Sequence, residues 1–70
     1  MEVVKAALEG FARRYADLGI RLGETEARAL VLTVVRQEKP ETAPTGQEVE
    51  ELSRDLVRRI DDLAKERTPE

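Results

Sequence analysis

The chain contains no cysteine and no histidine. Without cysteine there is no disulfide and no thiolate site. Without histidine the usual imidazole ligand of a transition metal is missing, and so is the commonest general base. Ser53 is the only serine, and the chain offers no base to activate it in a triad. The four glycines form no phosphate-cradling loop. Asp61 and Asp62 are adjacent, so on a helix they point about 100° apart and chelate one ion poorly. These absences argue against an enzyme and against any bound cofactor or metal.

Long apolar runs are also missing. The longest, ALVL followed by VV around Thr33, is far too short to cross a bilayer. Met1 opens a segment with Glu2 and Lys5 but no apolar h-region, so no signal peptide is expected and the cytoplasm is the default location. Seventy residues make one small domain, residues 1–70, with a thin core and marginal stability. With disulfides and metals gone, association with another chain is the remaining staple, and a homodimer is expected.

What is present is a mixture of 40% apolar and 39% charged residues, with a net charge of −3. Residues 1–40 carry seven basic and six acidic groups, a balance of +1; residues 41–70 carry five and nine, a balance of −4. Nucleic-acid binders draw most of their affinity from neutralised phosphates. The acidic second part works against such a partner.

Three segments have helical periodicity. In residues 2–18, Val4, Leu8, Phe11, Tyr15, Leu18 and, beyond them, Leu22 follow steps of 4, 3, 4, 3 and 4, a seam of period 3.5. Phe11 and Tyr15, the only aromatic residues, lie on that seam and read as core. Gly19 stands where a left-handed cap is wanted. Residues 24–38 form a second helix, with Gly23 at its start and Pro40 beyond its end. Ala27, Leu30, Val31, Val34 and Val35 make its broad apolar face, and Leu32 lies on another side, open to a second chain. A strand is the rival there, because Val31, Thr33, Val34 and Val35 are β-branched. Residues 39–45 are a loop broken by two prolines. Thr45 and Glu48 have capping-box spacing, and residues 46–66 read as one helix with Val49, Leu52, Leu56, Ile60 and Leu63 on one stripe. Residues 68–70 read as a frayed tail.

LSRDLVRRIDDLAKE, residues 52–66, resembles the recognition helix of winged-helix and helix-turn-helix transcription regulators. Ser53 would open that helix, Leu56, Val57 and Ile60 would supply its apolar spacing, and Arg58 with Arg59 its basic pair. LGETEARAL, residues 22–30, is similar to the opening of the first helix in such regulators, and TGQEV, residues 45–49, to the start of the supporting helix. The resemblance covers residues 18–67. It implies DNA binding through Ser53, Arg54, Arg58 and Arg59. In this chain Val49 to Ser53 is a step of four with no glycine, whereas the family places about seven residues and a turn glycine there. The apolar stripe runs through the position of that turn, which favours one unbroken helix.

The sequence therefore predicts an all-α protein: a three-helix bundle, or a helical hairpin plus a helix, completed by homodimerisation. The expected function is a non-enzymatic binding or regulatory role through helix–helix contacts, with Leu32, Leu52, Leu56, Ile60 and Leu63 as interface residues. The alternative is a reduced helix-turn-helix regulator that binds DNA.

Overall fold

The computed structural model describes residues 2–67; the expected tail at 68–70 lies outside them. Three helices account for most of the chain: α1 (Glu2–Leu18), α2 (Glu24–Glu38) and α3 (Gly46–Glu66). Among the described residues there is no strand. The β-branched run at 31–35 is helical, so segment length and flanking helix formers outweigh local strand preference.

Each helix end has a local cause. At the end of α1, Gly19 takes φ +72°, which side chains resist. Its N–H donates to the Ala16 carbonyl at 3.1 Å, and the Ile20 N–H donates to the Tyr15 carbonyl at 2.8 Å. This is the Schellman pattern. Gly23 is the extended N-cap of α2, and its carbonyl accepts from the Ala27 N–H at 2.9 Å. Lys39 precedes Pro40 and leaves the helical region at φ −137°, ψ 67°.

The start of α3 is a complete capping box. The Glu48 N–H donates to Thr45 Oγ1 at 3.1 Å, and the Thr45 N–H donates to Glu48 Oε1 at 2.9 Å. Two backbone donors that the helix leaves unpaired are thereby satisfied. Thr45→Ala is expected to destabilise the fold by about 1 kcal/mol, read as a lower urea midpoint. An unchanged midpoint would mean the cap contributes nothing.

Ion pairs give the relative directions. Glu9 meets Arg59, and Asp17 meets Arg67. Numbers rise together, so α1 and α3 run parallel, and α2 runs back antiparallel to both. α3 is the spine: it packs along both other helices, which touch each other less.

The core is one cluster. α1 contributes Val4, Leu8, Ala12 and Ala16; α2 contributes Ala27, Val31, Val34 and Val35; α3 contributes Leu52, Leu56, Ile60 and Leu63. This corrects the seam expected on α1. Phe11 and Tyr15 are only partly buried, and Leu18 is 65% exposed. The buried row steps by four throughout, drifting about 40° around the helix at each step. Ala12 and Ala16 occupy its second half and are buried although small. Burial there follows proximity, not hydrophobic size.

Candidate protein interface

A three-helix bundle has three lateral grooves, and here they differ in chemistry. The groove between α1 and α3 is open, about 330 Å³ in volume. Leu8, Leu52 and Leu56 form its floor, and Lys5, Glu9, Asp55, Arg58, Arg59 and Asp62 form its rim. Arg59 forks onto Glu9: Nε donates to both carboxylate oxygens at 2.9 and 3.0 Å, and Nη2 donates to Oε2 at 2.9 Å. Arg13 Nε adds a fourth bond at 3.2 Å.

The Arg59 hydrogen bond is the main cause that holds the Glu9 carboxyl below its ordinary value; partial desolvation opposes it, and Arg13 helps. Glu9 raises the Arg59 pKa in turn. A depressed carboxyl pKa stabilises the fold above the ordinary glutamate value, and that contribution is lost as pH falls through the depressed one. Glu9→Gln should therefore lower the urea midpoint slightly at neutral pH, and the gap from the parent should close below the ordinary carboxylate range. A gap that stays constant with pH would remove the ion pair from the account.

Where α3 meets the chain end of α1 and the connector to α2, ion pairs again cross: Arg21 to Asp61 and Asp17 to Arg67, each at 2.6 Å. Among the described residues no ion pair crosses between α1 and α2, nor between α2 and α3; what sets the α1/α2 groove apart is its apolar and aromatic lining. On α1, Glu9 marks the flank turned to α3. Phe11 and Tyr15 lie on the other flank, towards α2, with their rings stacked at 6.2 Å between centroids. Leu30 on α2 and Leu22 in the connector, like Phe11 and Tyr15, are partly buried and packed against the core. Val3 at 48% and Leu18 at 65% extend the apolar band outward along α1, and Ile20 follows at 41%. In a chain that is 39% charged, this face is depleted of charge and holds both aromatics. Those are the compositional marks of a protein interface core.

Compared with known proteins, the chain matches no family model, no curated protein and no solved structure. Among the described residues no group of three or more acidic side chains is placed to hold a metal ion, and no helix is long and apolar enough to cross a membrane.

The residues expected to act are distributed differently from the sequence reading. Leu52, Leu56, Ile60 and Leu63 are buried in the chain's own core. This corrects their assignment to an interface: their apolar surface is already covered within one chain. Leu32 is 41% exposed but isolated, with Arg28 and Arg36 one turn away on either side. Ser53 lies in the middle of α3, 1% exposed, and its Oγ donates to the Val49 carbonyl at 2.6 Å. It caps no helix and is out of reach of a groove of DNA. Arg54 donates to Glu50 at 2.7 Å and Arg58 to Asp55 at 2.8 Å, both within α3, while Arg59 is held by Glu9. The outer band on α1 was not singled out from sequence. Its signal was there in Val3, Ala7, Phe11 and Tyr15, spaced by four and left over once another row fills the core.

Proposed function

We propose that this chain is a small non-enzymatic binding or regulatory protein that works through helix–helix contacts and associates with a second copy of itself. The exposed apolar band on α1 supports the reading best. Leu18 alone leaves 65% of its surface in water, and burying apolar surface is the main drive to association. A cytoplasmic location fits this reading. Sedimentation equilibrium at micromolar concentration should show a dimer. A monomer at every concentration, together with no partner captured from the native host, would sink it.

The DNA-binding alternative has less support. Its arginines are paired with acids, its serine is buried, and the second part of the chain carries a balance of −4. A gel-shift titration near physiological salt should show nothing tighter than non-specific binding. Sub-micromolar, sequence-selective binding lost in Arg58→Ala would replace the proposal.

A further inference from the structure

We infer that the α1/α2 face is where the second copy docks, about a two-fold axis parallel to the helices, so that Arg14 of each copy meets Glu26 of the other. The inference rests on the reading above and assigns it a surface and a geometry.

The face carries two charged residues, one of each sign. Arg14 lies one turn before Leu18 on the outer edge of the α1 band; Glu26 lies one turn before Leu30 on α2. Both are exposed, and neither has a hydrogen-bond or ion-pair partner among the described residues; the Glu26 carboxylate folds back over Gly23 at the start of α2 and swings out to meet a partner. Of the nine arginines, Arg13, Arg21, Arg28, Arg54, Arg58, Arg59 and Arg67 have acidic partners; Arg14 shares its lack of one with Arg36, which lies on α2 beside Leu32.

The positions of the two charges fit a two-fold. α1 and α2 are antiparallel and joined at one end by residues 19–23. Arg14 stands four residues before the end of α1, and Glu26 two residues after the start of α2. At about 1.5 Å per residue, both lie within about 6 Å of the connector end along the helix axes. A two-fold parallel to those axes preserves height and sets α1 of one copy against α2 of the other. Arg14 then faces Glu26 twice, and the apolar band of each copy closes on the α1/α2 groove of its mate. The result is a four-helix arrangement with each α3 on the outside. Isologous contacts of this kind need a self-complementary patch, and one positive and one negative edge around an apolar centre provide it. A partner of strongly acidic or basic character would leave one of these edges opposed by a like charge.

Gly10 belongs to the same edge of α1, one turn before Arg14. A side chain added there would meet nothing in the chain, so nothing within one copy requires glycine at a helix interior where it costs about 1 kcal/mol relative to alanine.

Charge reversal tests the inference directly. Arg14→Glu and Glu26→Arg alter exposed positions, so each variant should keep its helical circular dichroism. Each alone should dimerise about tenfold more weakly or worse, because like charges then oppose one another twice. Mixed in equal amounts, the two should recover a heterodimer, seen by its mass in native mass spectrometry. Leu18→Glu should weaken the dimer, and Leu32→Glu should not. A parent dimer that survives both reversals and Leu18→Glu would overturn this face while leaving self-association in place. A parent chain that stays monomeric would overturn the second copy as occupant, and a different protein partner would then be the only form of the broader reading left.

Discussion

Replacing Leu56 by alanine is expected to lower the unfolding free energy by about 2–5 kcal/mol, whereas Ser53→Ala should change it by no more than about 0.5 kcal/mol. Both residues are buried on α3. Leu56 belongs to the apolar cluster and forms part of the groove floor between α1 and α3. Truncation removes its packing against α1 and leaves space that a rigid bundle fills only in part. A chain of this length has roughly 4–10 kcal/mol in all, so the variant would sit near the edge of unfolding. Ser53 buries a small polar group whose hydroxyl is already satisfied by the Val49 carbonyl. That carbonyl is also the acceptor of the helical ladder at this position, so removing the hydroxyl orphans nothing. Urea unfolding followed by circular dichroism measures both. If Ser53→Ala costs about 1 kcal/mol, as loss of an N-cap does, a helix start at Ser53 returns to consideration. If Leu56→Ala costs less than that, the α1/α3 contact is loose.

Ala27→Leu is expected to cost about 1–3 kcal/mol through overpacking. Ala27 is completely buried on α2, one turn after the Gly23 cap, and does not line the open groove between α1 and α3. Three added carbons have no space to enter without displacing α1 or α3. Ala29→Leu is the control, since Ala29 is exposed on the same helix and should stay within about 0.5 kcal/mol. Equal midpoints for the two variants would show that α2 can shift outward cheaply.

The three helices and the capping box were legible because they rest on local chemistry. Gly19, Gly23, Pro40 and the Thr45–Glu48 pair each act within a few residues. The stripe on α3 was legible too, since large aliphatic residues at helical spacing mark burial. What that stripe packs against was not. Leu52, Leu56, Ile60 and Leu63 read equally well as a core or as an interface, and the choice depends on where α1 lies. On α1 the signal misled. Alanine carries little hydrophobic weight in a periodicity count, so the row Ala12–Ala16 was outweighed by Phe11, Tyr15 and Leu18. The Glu9–Arg59 fork joins residues 50 apart in the chain, and no local rule points to it. The charge-poor face emerged only once the helices were arranged in space, because its parts come from two helices and neither is apolar enough alone.

That α3 is the spine of the bundle also bears on how the chain comes to fold. It is the third helix to be synthesised, and the first two touch each other less than either touches it. In the fold Val4, Leu8, Val31 and Val35 share one buried cluster with the leucines and isoleucine of α3. The pairing that closes the core joins α1 to α3, the elements farthest apart in the chain, within a helical topology whose contacts are otherwise mostly local and fast to form. Before residues 46–66 join them, α1 and α2 lack their main packing partner, and apolar surface left uncovered in this way favours aggregation.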